Sequence, residues 1–381
     1  MTPFQAAAVV AVVVFAVGLV LLIGVVALKW YRRRRADAHN IRRGEYLRII
    51  SRHIASPGSV STLTVNEAGD DAFIDAVIAL RSTLTGDSIE QLDGVVDQTG
   101  LLDLQAARLR SRFPLGRRLR AVVSIAEIGD VRAAGVLIEH LADRVPEIRV
   151  QSARGLARMK YTAAIDEILD RYDDESPWVR SRLAESLGLY GRDAVWPLVA
   201  FIRVHHQHDS KKGITDIVRV LGLIGDSEVG PVLAELLYTA DDVEVRLAII
   251  DSLGLIGGPL ALRPLRKTIQ SEDWRIRAKT ARAFGLIGDP SVNPILADCL
   301  QDESWWVRRN SAAALRDLPG GIDLLYDALD LPDAYARDSA AEALADAGEL
   351  VAAQDRLETG SGTERDFQLV GYMQASVGVH S

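Results

Sequence analysis

The sequence predicts an all-α protein. A single N-terminal transmembrane helix precedes a right-handed solenoid of about eight helical-hairpin repeats. Three observations carry this. The line at residues 271–290 recurs along most of the chain, arginines mark its copies at a near-constant period, and residues 4–28 form an apolar run broken only by Gln5.

Within 271–290, Ile276 and Arg277 open a helix whose apolar positions return at helical spacing: Thr280, Ala281, Phe284 and Ile287. Gly288 stops it, because glycine takes the left-handed conformation without steric cost. Asp289 then caps the next helix, with Pro290 at its first position. The same arginine stands eleven residues before a stop at Arg118, Arg149, Arg180, Arg246, Arg308 and Arg337, with Ile214 filling one slot. The stops are Gly129, Lys160, Gly191, Gly257, Pro319 and Gly348, with Gly225 after Ile214. Successive slots lie 31, 31, 34, 32, 31, 31 and 29 residues apart. Each such unit buries its apolar face only on its neighbours, so a repeat array supersedes any domain count taken from 381 residues.

At 1.5 Å per residue, the run at 4–28 covers roughly 37 Å, enough to cross a hydrocarbon core of about 30 Å with some tilt. No basic side chain precedes it, while Lys29, Arg32, Arg33, Arg34 and Arg35 follow it with Trp30 and Tyr31. A secretory signal has the reverse charge order. The expected topology is therefore a single-pass anchor in the cell membrane, N-out, with the C-terminal domain cytoplasmic. Ala7 and Ala11 form a small-xxx-small pair that could support helix association, but the pattern is common in apolar runs and a plain lipid-facing surface is the favoured reading.

Residues 29–43 form a basic juxtamembrane segment of net +6 on a body of net −14, against −8 overall. That asymmetry argues against nucleic acid and for a charged membrane surface, with Lys29 and Arg32 to Arg35 as the surface-contacting residues. Only six of the 44 basic residues are lysine, a bias associated with GC-rich bacterial genomes. The single cysteine, Cys299, falls on an expected helix and excludes an intramolecular disulfide and a cysteine zinc site.

Residues 44–113 have helical spacing at 45–54, 70–84 and 88–96 but do not fit the repeat, and are expected to cap the array. The solenoid is expected over 114–358. The tail at 359–381, opening Thr-Gly-Ser-Gly-Thr, is expected to be poorly ordered.

The units resemble short HEAT repeats, of the kind found in phycobilin lyases and bacterial scaffold proteins. The Leu-Gly-Leu-Ile-Gly ending at 253–257 and its Phe-Gly-Leu-Ile-Gly counterpart at 284–288 carry the resemblance. So do Pro197, Pro231 and Pro294, each six residues after a stop, where the family's first helix is typically kinked. Asp143, Asp174 and Asp302, six residues before a repeat arginine, are similar to the family's aspartate–arginine ladder, which lapses at Ile214 and Arg246. The resemblance implies fold strongly and function weakly.

Turning 100° per residue from the repeat arginine places offsets +3, +4 and +7 on one side and +2, +5 and +9 on the other. The +9 row reads Glu127, Arg158, Leu189, Leu223, Leu255, Leu286, Asp317, Asp346. Four leucines between polar ends are expected to form a concave ridge that binds an apolar helix of a protein partner. The competing expectation is that solenoid curvature buries the row. Beside it, the +2 and +5 rows carry Arg120, Arg154, Arg182, Arg219, Lys279 and Arg282 with Glu185, Asp216, Asp251 and Glu342. That mixture reads as a solvated face, with an anionic ligand as the alternative. Trp178, Trp274, Trp305 and Trp306 lie two or three residues before a repeat arginine, either packing on the next repeat or recognising a partner.

His205, His206, His208 and Asp209 cluster in the lengthened 34-residue unit but lack the i, i+4 spacing of helical metal ligands. No phosphate loop, nucleophile elbow or histidine with a serine or cysteine partner is present, so neither catalysis nor a cofactor is expected. The expected function is a membrane-tethered cytoplasmic scaffold. Its partner is itself membrane-bound, a polysaccharide-building glycosyltransferase being one candidate. The resemblance to phycobilin lyases implies an alternative, a lyase or chaperone-like factor for tetrapyrrole attachment.

Overall fold

A computed structural model describes residues 3–56, 69–112, 114–205 and 213–379; the side chains of 3–17, 19, 20 and 376–379 fall outside that description. Helix accounts for all regular structure among the described residues. The chain divides into two compact units, 1–159 and 160–381.

In the first unit, α1 (Pro3–Ala55) is one continuous helix. The expected juxtamembrane segment and the helix at 45–54 are both parts of it. Among the described residues no helix is long and apolar enough to cross a membrane. Most side chains of the 4–28 run, on which the transmembrane expectation rests, lie outside those residues. The end of α1 packs on α2 (Asp71–Arg81) and α3 (Asp87–Gln98). Tyr46, Leu47 and Ile50 close a core with Phe73, Val77, Leu92 and Val95. Asp70 caps α2 by accepting from the Ala72 N–H at 2.9 Å.

Hairpins then follow. α4 (Leu101–Arg110) pairs with α5 (Leu115–Ile128), and α6 (Ala134–Glu139) with α7 (Pro146–Arg158). The array therefore begins in α4, earlier than the expected 114, because Leu101, Ala106 and Leu109 already present a buried face.

The second unit continues with six hairpins. They are α8 (Ala164–Leu169) with α9 (Pro177–Gly188), α10 (Val195–His205) with α11 (Ile214–Ile224), and α12 (Gly230–Thr239) with α13 (Val243–Ile256). Next come α14 (Pro259–Thr268) with α15 (Trp274–Ile287), α16 (Asn293–Asp298) with α17 (Trp305–Asp317), and α18 (Gly321–Ala328) with α19 (Ala334–Asp346). α20 (Glu349–Glu358) and α21 (Glu364–Val379) close the end. The tail is thus helical rather than poorly ordered. Leu369 is buried, and Arg356 donates to Asp366 at 2.6 Å.

Three of the glycine stops behave as the sequence reading expects, while α17 ends on an extended Leu318 before Pro319 and the left-handed residue there is Gly320. Gly129, Gly225 and Gly288 are left-handed, and Asp130, Asp226 and Asp289 cap the turns that follow. Lys160 holds the same left-handed conformation at φ 54° without being glycine. Pro197, Pro231 and Pro294 each stand in the first turn of an α-helix that directly follows a 3-10 turn, beginning two residues before Pro197 and one before Pro231 and Pro294.

The ladder joins repeats in a way the spacing did not show. The Arg277 guanidinium donates to Asp302 of the next repeat at 2.7 and 2.9 Å, and to the Ser271 carbonyl of its own repeat at 2.8 Å. Arg118 pairs likewise with Asp143. Asp143 and Asp302 each serve the preceding repeat with the side chain and their own repeat's arginine with the backbone carbonyl, Asp143 for Arg149 at 2.8 Å and Asp302 for Arg308 at 2.7 Å, whereas Arg180 donates to the Glu175 carbonyl rather than to Asp174.

Candidate functional site

Second helices of adjacent repeats in the second unit pack side by side, α9 on α11, α11 on α13, α13 on α15 and α15 on α17. Their +3, +4 and +7 residues are buried, with Thr280, Ala281 and Phe284 fully enclosed. The opposite face is open. Leu189, Leu223, Leu255 and Leu286 are 45%, 77%, 51% and 49% exposed. Curvature does not bury the row within this chain. A large apolar side chain in solvent at one offset of four consecutive repeats is a contiguous stripe rather than the usual scatter.

The ends of the row are polar and internally paired. Arg158 meets Glu127 in the first unit. In the second, Arg316 donates to Asp317 at 2.8 Å and lies 3.7 Å from Asp346. The stripe therefore has defined limits.

The basic rows are largely neutralised by their neighbours. Arg182 donates to Glu185 at 2.7 Å, Arg219 lies 3.6 Å from Asp216, and Lys279 donates to Asp251 at 2.6 Å across the α13–α15 seam. Arg282 is exposed, and Arg154 is half-buried on α7 of the first unit. Such pairing is that of a solvated, mixed-charge face.

Two clefts open among the second helices, the first of them on the ridge at Leu223. One, of about 600 Å³, lies between α9 and α11 and has Leu223, Gly188 and Val220 among its walls, with Glu185 and Arg219 at its rim. The other, of about 370 Å³, spans α13, α15 and α17. Trp274 and Trp306 both line it, over a floor containing Leu247 and Ala278. The tryptophans are thus divided. Trp274 and Trp306 converge, Trp305 stacks edge-on against Trp306 at 4.6 Å beneath Arg309, and Trp178 stands exposed on α9 apart from the cleft. Leu247 and Asn310 went unnoticed in the sequence, Leu247 because its +1 offset belongs to neither face and Asn310 because it is an uncharged member of the +2 row.

Of the histidine cluster, only His205 falls among the described residues. His205 stacks on Phe201 with ring centroids 3.9 Å apart and places Nε2 2.9 Å from Asp173. His206, His208 and Asp209 lie outside the described residues. Among the described residues, no group of histidine, cysteine, aspartate and glutamate side chains could hold a metal ion. Cys299 opens a 3-10 turn rather than lying inside a helix, and burial, with Asp302 nearby, pushes its thiol up to about 11. It is a protonated, half-buried thiol at neutral pH and a poor nucleophile.

An all-α array of capped hairpins with an open second-helix face is the architecture of a helical repeat protein. The sequence matches the model of HEAT repeats over residues 104–188, 135–203, 198–272 and 262–345, more than half of the chain, and the protein belongs to the HEAT-repeat family. Solved structures similar to it share the fold alone. Human deoxyhypusine hydroxylase is 20% identical, with a TM-score of 0.29, covering 65% of this chain and 96% of its own. The complex of CpcE and CpcF of phycocyanin lyase from Nostoc sp. is 18% identical, with a TM-score of 0.34, covering 64% and 94%. Importin beta is 19% identical, with a TM-score of 0.41, covering 75% of this chain and 40% of its own. A comparison with curated proteins returns no match.

Proposed function

We propose that the protein is a scaffold that binds an apolar helix of a partner protein along Leu189, Leu223, Leu255 and Leu286. It acts by binding rather than by catalysis. The observation that carries this reading is the exposure of all four leucines in consecutive repeats. An apolar helix laid across them would bury its i, i+3, i+4 and i+7 anchors between neighbouring repeats. The Trp274–Trp306 cleft suits one large anchoring side chain beside the row.

The same reading gives the chain a tether. Residues 4–28 anchor it in the cell membrane with the repeats on the cytoplasmic side, in accord with the basic residues that follow the apolar run. Tethering confines the search to the membrane and raises effective concentration, so the partner is membrane-bound.

The test is crosslinking in the native membrane through a C-terminal tag, comparing wild type with the Leu223→Glu/Leu255→Glu double variant. Both leucines are solvent-exposed, so the variant keeps its helical circular dichroism. Loss of one specific membrane protein from the variant supports the ridge. An identical set of crosslinked proteins overturns it.

A further inference from the structure

The first unit holds a groove that the ridge does not use. It measures about 960 Å³ and lies where α1 passes α2 and the middle of α5. Arg32, Arg35, His39 and Arg42 line it from α1, and Arg120 lines it from α5. Steps of three, four and three residues put those four α1 side chains on one stripe of the helix, so three of the seven basic residues of the collar line the groove.

Three carboxylates share the groove, and each is already engaged. Asp70 accepts from Arg42 at 3.1 Å while capping α2, Asp71 pairs with Arg120, and Asp75 lies 3.3 Å from His39. That leaves Arg32 and Arg35, both exposed, with no carboxylate partner among the described residues, at the end of the groove nearer the apolar run. Arg33 does not line the groove, and Arg34 turns over the Trp30 ring at 4.2 Å.

We infer that this groove binds the phosphate headgroup of an anionic phospholipid, with Arg32 and Arg35 clamping the phosphodiester. The inference rests on the reading of 4–28 as a membrane anchor. Guanidinium groups bind phosphate oxygens through paired N–H donors, which suits two adjacent arginines on one helical stripe. At about 1.5 Å per residue, Arg32 and Arg35 stand roughly 6 and 10 Å beyond Leu28, at the depth of a headgroup layer. His39, Arg42 and Arg120, held by their carboxylate partners, form the rest of the groove wall, so that their loss would bare Asp75, Asp70 or Asp71 to the bound anion. An ordinary basic collar gathers anionic lipid without regard to which face each arginine occupies. A groove does not.

The test is a ³¹P nuclear magnetic resonance titration of the full chain in nonionic detergent with dihexanoyl phosphatidylglycerol, dihexanoyl phosphatidylcholine and inorganic phosphate. Saturable binding of phosphatidylglycerol alone is expected. Arg32→Gln/Arg35→Gln should weaken it by about 30-fold, taking roughly fivefold for each basic residue near an anionic surface. Arg33→Gln/Arg34→Gln removes the same charge and should leave it within about threefold of wild type. Arg120→Gln, far away in sequence but on the groove wall, should weaken binding as well. Equal losses from the two collar pairs, or no saturable binding, overturn the site. Inorganic phosphate binding as tightly as phosphatidylglycerol overturns the headgroup assignment. Failure of the anchor reading shows separately, as release of the wild-type chain from membranes by alkaline carbonate.

Discussion

Arg277 and Asp302 show how much of the assembly rests on single side chains. The pair is bidentate, both partners are nearly buried, and it joins two repeats. Burial alone raises the Asp302 carboxyl; the Arg277 guanidinium and the Ser304 N–H outweigh this and leave it below the ordinary 3.8. A carboxyl lowered by folding contributes stability that is present above its unfolded pKa and lost as pH falls through the folded one. Asp302→Asn should therefore destabilise the protein by about 2 kcal/mol at neutral pH, since it weakens the bonds to a charged, nearly buried partner. Calorimetric melting between pH 3 and 7 should show wild type falling toward the variant below about pH 4. Parallel curves would mean that the pair is not a coupling point. The arginine and the aspartate were both visible in the sequence. Which repeat each joined was not, because spacing within one unit says nothing about the register between units. Lys160 was likewise assigned to a stop, but its left-handed backbone follows from its place in the repeat rather than from its residue type.

Between elements, the decisive feature is how closely the second helices approach. Gly222 faces Ser252, Gly254 faces Ala283, and Gly285 faces Ala314; a Cβ on Gly222 would stand 2.7 Å from the Ser252 Cα. In each case the residue eight after one repeat marker meets the residue six after the next. The sequence displayed this glycine within the Leu-Gly-Leu motif, where it read as part of a helix ending. Its role is instead to let two helix backbones come together, which no single repeat reveals. The leucine that follows it turns outward to the ridge, so close packing and the binding stripe share one motif. Gly222→Val should cost about 3 kcal/mol, the upper range for overpacking, because backbone rather than a mobile side-chain end stands in the way. Gly135→Ala, in α6 where nothing lies within 4 Å, should be neutral or slightly stabilising. Chemical denaturation of both variants checks this. Equal stability of the two would place the close approach outside the energetics of the array.

For the molecule as a whole, a solenoid makes stability a sum of neighbour interfaces, so the ends matter out of proportion to their length. The periodic centre was legible because eight copies of one pattern reinforce each other. The N-terminal helices carry no copy but were legible from their own apolar spacing, whereas α21, which carries none, had to come from the structure. At the C-terminal end, α21 lies across α18 and α19. Arg365 donates to Asp323 at 2.9 Å and Asp327 at 2.7 Å, and the Tyr372 hydroxyl donates to Asp338 at 2.6 Å. Within the end pair, Arg356 bridges Glu349 and Asp366, and its guanidinium holds the Asp366 carboxyl far below the usual range. Truncation after Gly348 removes all of these partners and bares the outer face of α19. Because coupling runs only between neighbours, hydrogen exchange should accelerate by an order of magnitude or more in α17–α19, while α9–α13 keep their protection. Deuterium uptake by mass spectrometry resolves the two regions in one experiment. Uniform acceleration along the second unit would show that it opens as a single cooperative body. A change confined to the end would show that the ridge around Leu189 and Leu223 can hold its partner while the end of the array frays.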